Sequence, residues 1–461
     1  MAGIGWRLER LVHQGTLAGA TAAYAMGAAV MTMPWVLTTA VLVSLPAVVE
    51  RGKADFAIGQ TVVEVAYAVA LLVDGPLQIV MSRHTSDRLY EGRRDAIAAP
   101  FFRGLGAAFL ICFVTAAAVL FLLGQPAGAA VWGGALSAAV GAQWTALSVG
   151  NGLCSPWYVL GAVAAGAGHS FLLAGLLVGV TELGIPGYLF GLVSGQCLAL
   201  SILLAGILRT LPDRVDESAR LLPAFRDYLP LAAAGLAFNA SLWVDKLVAW
   251  NLVGGESGTV HAHASTVAWF STIPCLAWIF VEVETVFHRR YRAFYHGLEG
   301  GATLPELRRG VLALSGEAAR LLRGAVGVQA GVIVALEFAA EHWIRWFGLP
   351  GSALLPFRVL LLSAGLQALT LLGLILLYYF DLRRDAFLAA LGLLAGIAIS
   401  TTAAAWLGWP PCTGTLLGCA AGAVMTWIRV DRGIRGTLRH VLLGQPFGAE
   451  EAPLAAPSRP D

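Results

Sequence analysis

About twelve apolar runs, most of twenty residues or more, follow one another through a chain of 461 residues. A bilayer core about 30 Å thick is crossed by ~20 helical residues. Lipid admits only segments that satisfy their own backbone hydrogen bonds. Runs of this length and number therefore predict an all-α membrane protein of about twelve transmembrane helices. Composition agrees, with 58% hydrophobic and 13% charged residues, which excludes a soluble domain with a large core. The runs fall at about 17–48 (kinked or broken near Pro34), 56–81, 100–123, 127–149, 158–180, 185–207, 229–253, 260–287, 305–340, 354–380, 385–407 and 411–428.

The first run continues for some thirty residues, which suits a retained span rather than a cleaved signal peptide. Before it, Ile4, Leu8, Leu11 and Val12 oppose Arg7, Glu9, Arg10 and Gln14. That pattern predicts a short amphipathic helix on the membrane surface. Arginine supplies nearly all the positive charge, and the only lysines are Lys53 and Lys246. Arg-rich loops after the second, sixth, eighth, tenth and twelfth runs alternate with Arg-poor ones. The positive-inside bias then places both termini in the cytoplasm. The polar stretch near 209–227 divides the chain into a six-helix lobe (1–208), a cytoplasmic linker (209–227), a second six-helix lobe (228–430) and a cytoplasmic tail (431–461). Arg88-Leu89-Tyr90-Glu91-Gly92 and Arg292-Ala293-Phe294-Tyr295-His296-Gly297 stand at matching places in the two lobes, a faint parallel repeat.

Charges inside the spans carry the functional reading, since each costs at least ~2.5 kcal/mol against lipid and must face protein or water. Glu64, Asp74, Asp245, Lys246 and Glu282 are of this kind. Gln60, Glu64, Tyr67, Leu71, Asp74 and Gln78 share one helical stripe, as do Asn239, Trp243, Lys246 and Trp250, so both are expected to line a wet cavity. Asp245 should point about 100° away from Lys246. Measured from the outer ends of their spans, Glu64 and Lys246 lie at similar depth, which predicts a cross-lobe ion pair between them. Glu284 is expected to pair with a nearby arginine. Arg88, Arg292 and Tyr295 are candidates for a cytoplasmic mouth and partner-docking loops. The six cysteines lack metal-ligand spacing and read as small buried residues. His261 and His263 fall in an expected outer loop. No phosphate-binding Gly-Lys-Ser/Thr loop occurs, and no catalytic cluster, cofactor or metal site is expected. Nothing points to nucleic acid.

Several blocks resemble a known family. They are the opening Met1-Ala2-Gly3-Ile4-Gly5, Pro34-Trp35, the run Arg83 to Gly92, Asn239 with Trp243-Val244-Asp245-Lys246, and Val281-Glu282-Val283-Glu284-Thr285 continuing to Tyr295. Together they resemble the PelG-type exporters of Pel exopolysaccharide, over about residues 1–430. The resemblance implies the two-lobed fold of the MATE/polysaccharide-flippase (MOP) superfamily in a bacterial inner membrane. It further implies passage of a polysaccharide from cytoplasm to periplasm between the lobes, beside a cytoplasmic glycosyltransferase and small membrane subunits. Three other readings compete. One is a cation-coupled antiporter or lipid-linked oligosaccharide flippase of the same fold. The others are a membrane glycosyltransferase subunit, disfavoured by short outer loops, and a non-transporting scaffold.

Overall fold

A computed structural model describes residues 16–48, 53–181, 183–212, 214–216 and 221–444. Every regular element among these is helical. The amphipathic helix expected within 1–15 lies outside the described residues, as does the tail from 445 onward.

Helices α1 (Leu17–Val48) and α2 (Lys53–Tyr90) open the chain. α1 passes through Pro34 without the expected break. Thr32, Thr38 and Thr39 donate one turn back, to the carbonyls of Ala28, Pro34 and Trp35. Next come α3 (Ala98–Leu122), α4 (Ala127–Leu153), α5 (Pro156–Val180) and α6 (Gly184–Thr210). α4 packs on α2, α3 and α6. Because these neighbours screen it, it can hold Ser137, Gln143 and Thr145 buried without facing hydrocarbon.

A short helix, α7 (Leu221–Asp227), leads to α8 (Leu229–Ser241). α8 is followed by α9 (Val244–Val248) and a π-helical turn at Ala249–Val253. The two pieces form one broken span bent by 48°. Gly254 and Gly255, at φ 64° and 54°, then reverse the chain through a conformation that costs glycine little. α10 (Gly255–Trp269) and α11 (Ile273–Glu282) follow, separated by a 3₁₀ turn. A π turn at Val283–Phe287 joins α11 to α12 (His288–Glu299). The last four helices are α13 (Leu304–Trp346), α14 (Leu354–Tyr379), α15 (Arg383–Trp406) and α16 (Pro411–Gly444). With 43 residues, α13 is about 65 Å long at ~1.5 Å per residue, twice the hydrocarbon thickness. Its start is fixed by a capping box of Thr303 and Glu306.

Ten of the described helices are long and apolar enough to cross a membrane, or eleven if the bent pair is one span. Buried apolar residues gather into separate cores. Two are centred on α2–α6 and two on α10–α16. The early and late helices meet where α1 packs on α11 and α2 on α8. At the second crossing Gly75 and Gly235 bring the backbones together. A Cβ on Gly235 would sit 2.6 Å from the Gly75 carbonyl oxygen, which leaves no room for any other residue.

Candidate functional site

The charged residues sort into four groups, and the geometry revises several expectations. The first is a buried network in the bent span. Asp245 and Lys246 are 2% and 5% exposed, so each must find its partners inside the protein. Lys246 Nζ donates to the Leu242 carbonyl at 2.7 Å and to Ser265 Oγ at 2.9 Å, and lies 3.5 Å from Asp245 Oδ1. Ser265 Oγ donates in turn to Asp245 Oδ2 at 2.9 Å, and His261 Nε2 lies 3.3 Å from the same oxygen. The expected divergence of Asp245 and Lys246 is therefore corrected. A regular helix would separate them, but the Lys246 side chain folds back along its own helix and reaches across to α10. Trp243 stays beside it, with the ammonium 5.6 Å from the ring centroid. The bend at Leu242 and Trp243 also interrupts the Asn239–Trp250 stripe. Asn239 belongs to α8, and its Nδ2 donates to the Leu71 carbonyl of α2 at 2.7 Å.

The second group replaces the predicted Glu64–Lys246 pair. Lys246 is turned into the late helices, and Glu64 instead faces His263, with Nε2 at 3.6 Å from Oε1. This contact joins α2 to α10 and is partly exposed, at 29% for Glu64 and 38% for His263. Gln60 Nε2 donates to Glu64 from one turn earlier, at 3.4 Å. The sequence places His261 and His263 in an outer loop. The chain turns earlier than expected, at Gly254 and Gly255, and both histidines lie on α10.

The third group joins α1, α11 and α13. Glu282 accepts from Tyr24 Oη at 2.9 Å and from Arg320 Nη2 at 2.7 Å. Arg320 also bonds Glu317, which meets Arg290 at 3.1 Å. Tyr24 on α1 is thus tied to α11 and, through Arg320, to α13. Glu284, expected to meet an arginine, is buried and accepts from Tyr379 Oη at 3.1 Å. The π turn rotates it toward α14.

The fourth is Asp74. It leaves the α2 stripe inward, 1% exposed, and accepts from Thr145 Oγ1 of α4 at 2.8 Å. Tyr67 of the same stripe donates to Thr38 Oγ1 at 3.2 Å and accepts from Gln196 at 3.1 Å. Only Glu64, of the two stripe acids, reaches the late helices. Among the loop candidates, Arg88 pairs with Glu91 at 2.6 Å and Arg292 is exposed. Tyr295 stacks beside Tyr291 at 4.6 Å, in an aromatic cluster with Phe287 and Tyr379. No group of three or more metal-capable side chains occurs among the described residues.

Sequence reasoning passed over Tyr24, Ser265 and Arg320, and placed His263 in a loop. A signal existed for Ser265, since His261 and Ser265 are one turn apart and share a face once α10 is begun at Gly255.

Helix-only architecture, one span bent by 48° and several charges buried among the helices define a polytopic membrane protein, and the solved structures it resembles have the MATE fold. A mutant of the Vibrio cholerae MATE transporter VcmN superposes with a TM-score of 0.65 at 15% identity, over 95% of this chain and 98% of that one. An inward-facing multidrug resistance MATE transporter of the MOP superfamily gives 0.61 at 13%, over 90% and 95%. An outward-facing one gives 0.60 at 15%, over 90% and 94%. No curated protein matches the chain. The PelG family model, described as a putative exopolysaccharide exporter, matches residues 1–441, and the chain belongs to that family.

Proposed function

We propose that this protein carries an exopolysaccharide across the bacterial inner membrane, from cytoplasm to periplasm, between two six-helix lobes. The observation that carries the reading is the family match over residues 1–441. In this reading α4 counts as a span although it is less apolar than the ten, which brings the number to twelve with the bent pair. Both termini are cytoplasmic, because the arginines at the ends of α2, α12 and α16 then obey the positive-inside bias. A cytoplasmic glycosyltransferase supplies the polymer, small membrane subunits assist, and Arg88, Arg292 and Tyr295 belong to the docking side.

The charged contacts serve as gates. Glu64–His263 lies in the outer halves of α2 and α10 and closes the periplasmic side. Tyr24–Glu282–Arg320 lies toward the other ends of α1, α11 and α13 and closes the cytoplasmic side. For a polymer to pass, both must part. Asp245, Lys246, Ser265 and His261 hold the bent span in shape, and Asp74 anchors α2 to α4.

Deleting the chain from cells that make the polymer should abolish extracellular polysaccharide while the glycosyltransferase persists, and re-expression should restore secretion. Undiminished secretion without the chain would overturn the proposal. Uptake of organic cations by vesicles holding only this protein, driven by a proton or sodium gradient, would instead support the antiporter reading.

A further inference from the structure

One groove lies along α16, a helix that takes no part in the charged contacts described above. It has a volume of about 530 Å³ and runs along the outer face of α16, between Ala420 and Arg432. That is within the ~300–1,000 Å³ typical of small-molecule sites. Its walls are Ala420, Ala421, Val424, Met425 and Ile428, and its end is formed by Arg429 and Arg432.

The register of α16 explains the shape. Cys412, Cys419, Ala423, Thr426, Val430 and Ile434 are buried against neighbouring helices. Leu417, Val424 and Ile428, at 59%, 61% and 45% exposure, form the outward stripe with Ala421. One turn on, this stripe changes from apolar to basic at Arg432, Arg435 and Arg439. Alanines at 420 and 421 lower the floor of the stripe and make it concave. A face that is hydrocarbon-compatible up to Ile428 and cationic from Arg429 onward marks where the acyl region ends and headgroups begin.

The two arginines differ in their freedom. Arg429 Nη1 donates to Asp385 Oδ1 at 2.8 Å, while its Nε is buried with no partner. Arg432 is exposed and enters no salt bridge among the described residues. Asp431 is occupied by Arg435 at 2.9 Å. Two guanidinium groups against the one carboxylate of Asp385 leave a net positive end to the groove, with donors to spare. Guanidinium recognises phosphate through paired donors.

We propose that this groove is a binding site for one anionic phospholipid of the leaflet on the Arg-rich side. An acyl chain lies along Ala421, Val424 and Ile428, and the headgroup phosphate meets Arg429 and Arg432. Charge complementarity selects an anionic headgroup over a zwitterionic one. The site is independent of the export pathway, since α16 contributes no residue to the Glu64–His263 or Glu282 contacts.

The test uses the full chain purified in a neutral detergent. Thermal denaturation is followed with added phosphatidylglycerol, phosphatidylcholine or inorganic phosphate, for the wild type and for Arg432→Gln and Arg429→Gln. Phosphatidylglycerol should raise the midpoint by several degrees more than phosphatidylcholine, phosphate alone should do nothing, and Arg432→Gln should erase the difference. Arg432→Gln breaks no described contact, so its fold is expected to survive. If Arg429→Gln misfolds, native mass spectrometry of the Arg432→Gln protein settles the matter through loss of retained phosphatidylglycerol. Equal stabilisation by the two lipids, an effect of phosphate alone, or an unchanged lipid preference in Arg432→Gln would each overturn the proposal. A stable membrane subunit occupying this face and excluding lipid would do the same.

Discussion

At the residue scale, Lys246 is the most consequential side chain of the bent span. Its ammonium is held by a carbonyl, a hydroxyl and a carboxylate. Removing it strands Asp245, and breaking a buried pair by removing one partner typically costs ~3–5 kcal/mol. Lys246→Met should therefore lower the thermal midpoint in detergent sharply. Asp245→Asn combined with Lys246→Met should recover part of the loss relative to the worse single variant, because the charge left behind is gone. A double variant with simply summed losses would refute the coupling. The intramembrane charges themselves were legible in the sequence, because a charge in an apolar run is conspicuous. Their partners were less so. Side-chain reach and the local bend decide whether neighbours such as Asp245 and Lys246 diverge or meet, and neither is set by helical spacing alone. His263 reads from the sequence as an outer-loop residue, so its contact with Glu64 carries no helical signal.

At the element scale, the crossing of α2 and α8 depends on glycine at two facing positions. Gly235→Val would drive its side chain into the α2 backbone, where the nearest oxygen is already 2.6 Å from a bare Cβ. Overpacking of this kind commonly costs ~1–3 kcal/mol. The variant should be recovered in folded form at a markedly lower yield, whereas Gly316→Ala, at a position open to space, should match the wild type. Equal yields would show that the helices part easily. The spans themselves were readable from hydrophobic run length, including the long α13 that enters the membrane after a semi-polar first half. The breaks were not. At Pro34 the expected kink or break is not a break, since α1 runs through it as one helix. The bend at Leu242 and Trp243 occurs with no proline or glycine to announce it. There the tertiary contacts of Asn239 and Lys246 compete with regular helix geometry.

On the scale of the whole molecule, the proposed export would require the Glu64–His263 and Glu282–Arg320 contacts to open. Glu64→Gln and His263→Ala should each alter secretion. If the two groups act as one latch, the double variant should resemble the stronger single rather than multiply the defects. Multiplied defects would mean that the residues act separately. The orientation is checked independently by labelling single cysteines placed at Ser86 and Arg292 in intact cells. Both should be shielded from an impermeant reagent, and labelling of either would reverse the assigned sides.

The interior position of α4 has a consequence for biogenesis. Its 27 residues carry no charge, yet alanine, glycine, serine and glutamine keep it less apolar than the ten clear spans. A segment this weakly hydrophobic partitions poorly from the translocon into lipid by itself. The neighbours that hide its polar face in the finished protein include α6, which is synthesised after it. During synthesis, then, α4 has only α2 and α3 to shelter against. Fused alone to a glycosylation reporter, α4 should insert inefficiently; preceded by α2 and α3 it should insert well. Insertion of α4 would on that account depend on the helices made before it.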